Sequence, residues 1–289
     1  MQKKEKTMYK ILRRERLNEN VVRMDVLAPM VAKKCKAGQF IMLRINETGE
    51  RIPLTVADYD REEGSVTIIF QEVGKTTKML GTLGVGEYIL DFAGPLGKPS
   101  EFDGIKKAVV IGGGLGCAIA YPQAKALKEL GAHVDLIAGF RNKELVILEE
   151  EMKKASDNLY ICTDDGSYGE KGFVTNKLTS LLEAGNEYDI AIAIGPLPMM
   201  KFVCKATEPF ALKTIVSLNP IMIDGTGMCG GCRVRVGGQT KFACVDGPDF
   251  DGHLVDFDDA IRRSAMYKNE ERQADEHYCN LQRMCDENG

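Results

Sequence analysis

Ala108-Val-Val-Ile-Gly-Gly-Gly-Leu-Gly116 is a short apolar run that passes directly into a glycine-rich turn. A continuous apolar run ended by glycine is typical of a strand that is buried on both faces of a sheet. The stretch from Ala118 to Leu130 has a helical pattern and ends at Gly131. Strand, glycine turn and helix in this order predict the first part of a βαβ unit.

The glycine turn is a candidate phosphate-binding site. Glycines in this place let the backbone approach a pyrophosphate, which the helix N-terminus then stabilises. The candidate residues are Gly112, Gly113, Gly114 and Gly116. Because the spacing is not G-x-G-x-x-G, a purely structural strand–helix turn stays an alternative.

Apolar strands and helix-like stretches continue to alternate up to residue 219. The predicted strands are His133–Ala138, Leu159–Thr163, Ile190–Ile194 and, as the last of the sheet, Thr214–Leu218. The predicted helices between them are Leu145–Ala155 and Asn176–Ala184. This alternation predicts a Rossmann-like parallel α/β domain over residues 101–219.

Ligands of such sheets bind at the carboxyl ends of the strands. Further candidate residues stand there: Arg141, Asp164, Asp165, Gly166, Gly195 and Pro196. Arg141 is suited to binding the adenosine ribose or its 2′-phosphate. An equally supported interpretation is that Arg141 is a solvated loop residue. Together with the glycine turn, these residues predict a nicotinamide nucleotide site.

Residues 1–100 follow a different sequence pattern, in which short strands are separated by turns. The predicted strands are Val21–Leu27, Gln39–Ile45, Pro53–Ala57, Val66–Gln71 and Tyr88–Phe92. This spacing predicts a small antiparallel β-barrel. The dense turn signal Gly94-Pro-Leu-Gly-Lys-Pro99 predicts the domain boundary.

Two segments of the barrel are suited to phosphate. In Arg51-Ile-Pro-Leu-Thr55 an arginine next to a strand fixed by proline can grip a phosphate with two hydrogen bonds, and a threonine on that strand can reach a ring heteroatom. Gly74-Lys-Thr-Thr77 supplies amides, hydroxyls and one cation. Taken alone, an arginine on a barrel strand more often belongs to a solvated face.

The order of these segments resembles the ferredoxin-reductase-like flavoproteins from Tyr9 to Val216. That resemblance implies FAD in the barrel and a nicotinamide nucleotide in the α/β domain. It places Thr55 beside the flavin ring as the candidate catalytic residue. The implied flavin contacts are Arg51, Pro53, Leu54, Thr55, Ile68, Gly74, Lys75 and Thr76.

Nine cysteines are many for 289 residues, and their odd number argues against a disulfide framework. Cys117, Cys162 and Cys204 stand singly in apolar runs and are expected to be buried. The segment Asp224-Gly-Thr-Gly-Met-Cys229-Gly-Gly-Cys232, followed by Cys244, is different because its potential ligands are clustered.

The spacing D-x4-C-x2-C-x11-C matches the plant-type [2Fe–2S] pattern C-x4-C-x2-C with a distant fourth cysteine, except that aspartate takes the first position. We expect Asp224, Cys229, Cys232 and Cys244 to bind the cluster. A structural zinc site and an incidental loop are the alternatives. A further alternative is that Asp224 only caps the turn while Cys279 or Cys285 completes the site.

With the cysteine segment included, residues 8–260 resemble the electron-transfer subunit of dihydroorotate dehydrogenase. They resemble even more the small subunit of the electron-bifurcating NADH-dependent reduced ferredoxin:NADP oxidoreductases, on three segments: Arg51–Thr55, Thr163–Gly169 and Cys244–Phe257. The resemblance implies FAD, NAD(H), a [2Fe–2S] cluster and a larger flavin and iron–sulfur subunit that uses NADPH and ferredoxin. A non-catalytic redox-sensing module is the alternative from another class.

Charge and hydropathy limit the remaining possibilities. A net charge of −4 gives no basic footprint for nucleic acid. No apolar run reaches the ~18–20 residues of a membrane span, and basic Met1–Lys10 is not followed by an apolar segment typical of a signal peptide. We therefore expect a cytoplasmic protein. The C-terminal part of the chain is expected to form a small [2Fe–2S] domain at 220–258, followed by a polar helical tail at 259–289.

Overall fold

The computed structural model describes residues 8–287, with side chains up to residue 280. The basic start of the chain, Met1–Thr7, and the last two residues lie outside this range. Three units follow each other along the chain, as the sequence predicts: an antiparallel barrel, a parallel α/β sheet and a small C-terminal segment.

The first unit is a near-closed antiparallel sheet of seven strands within the described residues. Its strands are β1 (Tyr9–Asn18), β2 (Val21–Leu27), β3 (Phe40–Arg44), β4 (Ile52–Asp60), β5 (Ser65–Gln71), β6 (Tyr88–Ile89) and β7 (Asp91–Leu96). The order across the sheet is β6-β1-β2-β5-β4-β3-β7. Two helices belong to this unit, α1 (Pro29–Ala32) and α2 (Lys75–Thr82).

The barrel closes around fully buried side chains that include Met24, Ile68, Phe70 and Phe92. Burying each of these stabilises the fold by about 1.5–3 kcal/mol relative to exposure. Two sequence predictions were wrong here. The predicted strand Tyr88–Phe92 is interrupted at residue 90, and β7 runs on to Leu96 through part of the predicted turn.

The second unit is the parallel sheet. It contains β8 (Lys107–Gly113), α3 (Cys117–Glu129), β9 (His133–Phe140), α4 (Glu149–Lys154), β10 (Asn158–Thr163), β11 (Glu170–Lys171), α5 (Val174–Glu183), β12 (Ile190–Ile194), α6 (Leu197–Thr207) and β13 (Thr214–Ser217). β8 is central, because the chain continues from it to β9 on one side and later returns to β12 on the other. Ligands bind in the crevice at such a reversal of strand order.

The third unit completes the sheet of the second. Its elements are β14 (Arg233–Val236), β15 (Gln239–Phe242), α7 (Ala243–Asp246), β16 (Asp249–Asp251), α8 (Phe257–Ser264) and α9 (Lys268–Glu287). β16 pairs antiparallel with β13, so Thr214–Leu218 is not the last strand of the sheet. A three-residue strand with one apolar residue carries no pattern that could predict this non-local pairing.

The C-terminal segment and the α/β sheet also share one hydrophobic core. Cys232, Cys244, Phe250 and Phe257 are buried in the same cluster as Val109. The polar tail is helical, as expected, and returns to the barrel, where Asp275 of α9 contacts the Lys78 ammonium of α2 at 2.8 Å. The tail therefore bridges the two ends of the chain. Within the described residues no helix is long and apolar enough to cross a membrane.

Candidate functional site

The glycine turn lies between the end of β8 and the start of α3, at the reversal point of the sheet. A Cβ on Gly113 would lie 3.3 Å from Pro196 Cδ, and one on Gly116 would lie 2.3 Å from the Ile194 carbonyl oxygen. The structure thus packs this turn directly against Gly195 and Pro196. The absence of side chains at Gly113 and Gly116 is what permits this close packing.

Gly114 has a different environment from its neighbours. Its φ is +56°, and a Cβ placed on it would meet no atom within 4 Å. The space above Gly114 is therefore open, and the start of α3 lies beside it. A pyrophosphate fits this position, because backbone amides at a helix start bind anions and no side chain blocks the approach.

The other predicted nucleotide contacts lie at the ends of β9 and β10. The amide of Asp165 donates to the Arg141 carbonyl at 3.3 Å, so these two loops touch. The Asp165 carboxylate accepts a hydrogen bond from the Ser167 amide at 2.9 Å. Hydrogen bonds from the Ser167 hydroxyl and from this amide lower the pKa of the Asp165 carboxyl. Arg141, Asp164, Asp165 and Gly166 are all exposed at the same edge as the glycine turn.

In the barrel, the predicted flavin strand is the start of β4. Its pairing with β3 sets Met42 opposite Pro53 and Phe40 opposite Thr55. Pro53, Leu54 and Thr55 are half-buried, and Arg51 is exposed just before the strand. These side chains are therefore accessible to a flat ligand lying along the strand.

The predicted phosphate cradle at residues 74–76 is the N-terminus of α2. Gly74 precedes the helix, and a Cβ placed on it would meet nothing within 4 Å. The Thr77 hydroxyl accepts hydrogen bonds from the Val73 and Gly74 amides, each at 3.1 Å, which fixes the turn. The open helix start fits a phosphate.

Two details of this region could not be read from the sequence. The Thr76 hydroxyl donates to the Glu50 carboxylate at 2.7 Å, so Glu50 joins the two predicted phosphate segments. The side chain of Ile68 is fully buried in the barrel core. Ile68 therefore presents no surface to a ligand in this structure.

The cysteine segment forms a tight loop with three glycines at positive φ, Gly225, Gly227 and Gly230. Cys232 and Cys244 are buried, with their sulfurs 3.2 Å apart, whereas Cys229 is exposed. Backbone amides face two sulfurs: the Gly231 amide lies 3.5 Å from Cys229 Sγ, and the Cys244 amide lies 3.5 Å from Cys232 Sγ.

Asp224 interacts within its own loop. Its carboxylate accepts hydrogen bonds from the Thr226 hydroxyl and, at 3.1 Å, from the Thr226 amide. These bonds lower the pKa of Asp224, with smaller contributions from the Met228 amide and the Arg51 charge. In this structure the carboxylate thus caps the turn, and it is held in the charged form that a metal ligand requires.

The thiols proposed as alternatives lie elsewhere or outside the described side chains. Cys279 lies beside the Lys78 ammonium, with 3.5 Å between Sγ and Nζ. Cys285 falls among the residues whose side chains are not described. Within the described side chains, no three His, Cys, Asp or Glu groups converge closely enough to hold one metal ion. Of the four predicted ligands, the structure brings Cys232 and Cys244 together, and Cys229 and Asp224 must turn toward them to complete a site.

The donor set nevertheless fits an iron–sulfur cluster. Burial and the adjacent Cys232 thiol raise the pKa of Cys244 to about 12, so the Cys244 thiolate is favoured only when a cation compensates its charge. Amides directed at sulfur and a glycine-rich loop are the features that stabilise a thiolate-bound cluster. Cys117, Cys162 and Cys204 are buried in the apolar interior, as predicted, and burial raises the pKa of the Cys117 thiol to about 12.

Comparison with known proteins agrees with this arrangement. Residues 219–256 match the family described as the iron–sulfur cluster binding domain of dihydroorotate dehydrogenase B. A dihydroorotate dehydrogenase B (NAD(+)) electron transfer subunit homolog from Thermotoga maritima is 47% identical over 262 residues, which cover 91% of this chain and 92% of that protein. The dihydroorotate dehydrogenase B (NAD(+)) electron transfer subunit of Fusobacterium nucleatum is 34% identical over 226 residues, covering 75% and 85%.

A solved structure extends the likeness to the whole fold. A chain of the NADH-dependent reduced ferredoxin-NADP oxidoreductase, a structure that concerns flavin-based electron bifurcation, has a TM-score of 0.89 and 44% identity. The match covers 96% of this chain and all of that chain. The fold is therefore the FAD- and NAD-binding ferredoxin-reductase fold with a C-terminal iron–sulfur domain. The chain belongs to the family of dihydroorotate dehydrogenase B electron transfer subunits and their homologs, flavin and iron–sulfur proteins that carry electrons.

Proposed function

We propose that this chain is the NAD(H)-linked subunit of a larger cytoplasmic oxidoreductase that uses NADPH and ferredoxin and splits electrons between ferredoxin and NAD. The contact between the cysteine loop and β3, the strand that pairs with the proposed flavin strand β4, carries the proposal. A Cβ on Gly225 would lie 2.8 Å from Met42 Cγ and 3.0 Å from Leu96 Cδ1. Since Met42 pairs with Pro53, the proposed cluster site and the proposed flavin site are separated by one strand.

Each site has its own residues. For FAD we propose Arg51 and the start of α2 at the phosphates, with Thr55 beside the ring system. For NAD(H) we propose the open space above Gly114 and the loops of Arg141, Asp164–Gly166 and Gly195–Pro196. For the cluster we propose Asp224, Cys229, Cys232 and Cys244.

When bound, the flavin exchanges electron pairs with a nicotinamide and single electrons with the iron–sulfur cluster. The residues of this chain align and shield those reactions. The start of β4 would hold the flavin ring, and the space above Gly114 would admit the nucleotide at the sheet edge. The close packing of Gly225 on Met42 and Leu96 would exclude water between the two redox sites. Excluding water keeps electron transfer within the protein.

A second function is supported by the family itself. The family matched by residues 219–256 and the relative from Fusobacterium nucleatum both carry the name of dihydroorotate dehydrogenase B. In that case the partner subunit would oxidise dihydroorotate. A non-catalytic redox module is the third possibility, and it would bind cofactors without reacting with NADH.

Two experiments separate these functions. Tagged chain purified without oxygen from its native cells should retain a larger subunit that contains flavin and iron, and mass spectrometry identifies it. Co-purification of a dihydroorotate-oxidising subunit instead would favour the second function. The isolated chain, mixed with NADH without oxygen, should bleach its flavin absorbance within the mixing time of a stopped-flow experiment. A chain that holds FAD and iron but does not react with NADH contradicts both enzymatic functions.

A further inference from the structure

The peptide group between Gly230 and Gly231 lies between two proposed cluster ligands, Cys229 and Cys232. Its carbonyl oxygen accepts a hydrogen bond from Arg233 Nη1 at 3.5 Å, and its amide faces Cys229 Sγ at 3.5 Å. In a trans peptide group the carbonyl and the amide point in opposite directions. Guanidinium, peptide group and sulfur therefore form one hydrogen-bonded chain.

A second guanidinium contacts the next carbonyl of the same loop. Arg263 Nη2, from α8, donates to the Gly231 carbonyl oxygen at 3.3 Å. The two arginines thus reach the loop from different elements, β14 and α8. They line one cavity of about 580 Å³, together with Arg235 and Arg262.

The other two arginines of this cavity differ in their contacts. Arg262 pairs with the Asp259 carboxylate of its own helix. Arg235 lies on the same face of β14 as Arg233, two residues or roughly 6.6 Å farther along the strand. Arg235 and Arg233 thus carry the same charge on the same strand, but only Arg233 bonds to the peptide group that faces a sulfur.

The electrostatic effect of this chain has a definite sign. A cation on a carbonyl polarises the peptide group and strengthens the hydrogen bond that its amide donates. Hydrogen bonds to ligand sulfurs and the net charge around a cluster set its reduction potential. Because reduction adds a negative charge, both contacts stabilise the reduced form.

We propose that Arg233 and Arg263 are positioning residues that raise the reduction potential of the cluster. Arg233 holds the peptide group between Gly230 and Gly231 with its amide toward Cys229 Sγ, and Arg263 fixes the next carbonyl of the loop. This rests on the proposed function, because it requires Cys229 and Cys232 to bind the cluster. The arginines touch no reacting atom and act through the backbone of the loop.

The test is a potentiometric titration of the intact chain, followed by electron paramagnetic resonance, with iron and sulfide content measured on each sample. Arg233→Gln is expected to shift the equilibrium toward the oxidised cluster about tenfold, which is ~59 mV for one electron. Arg263→Gln should shift it in the same direction. Arg233→Lys, which keeps the charge and a donor, should recover most of the loss.

Arg235→Gln is the matched control. It removes the same charge from the same strand, and we expect a shift of about threefold or less, because salt screens exposed charges. Equal shifts in Arg233→Gln and Arg235→Gln would mean that general charge, not the peptide contact, sets the potential. That result overturns the proposal.

Two other results also overturn it. One is a wild-type potential in both Arg233→Gln and Arg263→Gln with full iron content. The other is loss of iron from Arg233→Gln while Arg235→Gln keeps it, because Arg233 would then only maintain the loop. If the wild-type chain itself takes up no iron and sulfide, the assigned cluster site fails, and this proposal fails with it.

Discussion

At the scale of single residues, the four glycines of the turn after β8 have two different roles. A Cβ on Gly112 would lie 2.8 Å from Cys117 Sγ, and Gly113 and Gly116 face atoms as close. These three glycines allow strand, turn and helix to pack. Gly114 alone of the four faces open space, with a φ of +56°. The sequence shows four glycines but not this division, which depends on what later segments place beside them.

The division leads to a prediction for Gly114→Asn. Asparagine tolerates positive φ, so the fold should persist while a side chain enters the proposed pyrophosphate position. Losing a charge-assisted contact costs about 1.5–3 kcal/mol, so the KM for NADH should rise ten- to hundredfold with flavin and iron unchanged. Gly131→Asn is the matched control, since Gly131 lies just after α3 with φ +86° and equally open space. An unchanged KM in Gly114→Asn would contradict the nucleotide site.

A second residue-scale prediction concerns flavin retention. Arg51→Ala removes the guanidinium proposed to bind the FAD pyrophosphate, a contact worth about 1.5–3 kcal/mol. We expect a ten- to hundredfold loss of FAD affinity, measured by flavin fluorescence after dialysis. Arg61→Ala is the control, because Arg61 lies on the same barrel but stacks on Tyr59 and donates to the Cys35 carbonyl. Equal retention in wild type and Arg51→Ala would exclude this role.

At the scale of elements, the buried strands could be predicted more closely than the edges. β8, β9, β10 and β12 differ from their predicted bounds by no more than two residues, because strands buried on both faces are continuous apolar runs. β1 was not predicted, since half of its Tyr9–Asn18 residues are charged and its exposed edge needs no apolar alternation. Pairing of β16 with β13 could not be predicted either, because it depends on contacts distant in sequence.

The site, too, could be predicted only in part from the sequence. The cysteine spacing pointed to one loop, and the structure confirms that Cys232 and Cys244 lie together. The capping of the turn by Asp224 was an alternative that the sequence left open. The contacts of Arg233 and Arg263 with loop carbonyls were not foreseen. Side-chain contacts of this kind depend on how β14 and α8 pack.

β16 also forms the joint between the units, through a buried carboxyl group. Asp249 accepts a hydrogen bond from the Ser100 hydroxyl at 2.5 Å and one from Gln123 Nε2 at 3.3 Å, and it also interacts with the Ser217 hydroxyl. The remaining oxygens, Asp249 Oδ1 and Gln123 Oε1, are buried acceptors that find no hydrogen-bond partner among the described residues. A proton on Asp249 would supply the missing donor, and burial raises the pKa of this carboxyl.

This joint predicts a pH dependence of stability. The folded state keeps a proton on Asp249 above the unfolded pKa of ~3.9, so it binds more protons and loses stability as pH rises through the raised pKa. Asp249→Asn removes this contribution. The urea midpoint of the variant, relative to wild type, should therefore be higher at pH 8 than at pH 5. A difference that is the same at both pH values would show that Asp249 does not hold the proton.

At the scale of the whole molecule, the cysteine loop is a poorly buried segment on a well-packed support. Ile223 and Met228 have exposed fractions of 57% and 87%, so the loop contributes little apolar burial of its own. After the loop, Phe250 and Phe257 are buried in the core that the α/β sheet shares. Small zinc domains lack such a support and unfold without metal.

This difference predicts the effect of removing the cluster. Chelation of iron under reducing conditions should increase amide hydrogen exchange in residues 221–232, while β13 and β16 keep their protection, because their pairing and core do not depend on the ligands. Heating the iron-free chain should still unfold the α/β sheet and β16 together, since β16 is hydrogen-bonded to β13 of that sheet. If β13 and β16 lost protection along with residues 221–232, the cluster would be holding the sheet edge itself. The C-terminal unit would then resemble a metal-dependent domain, and the shared core would be too weak to support the loop.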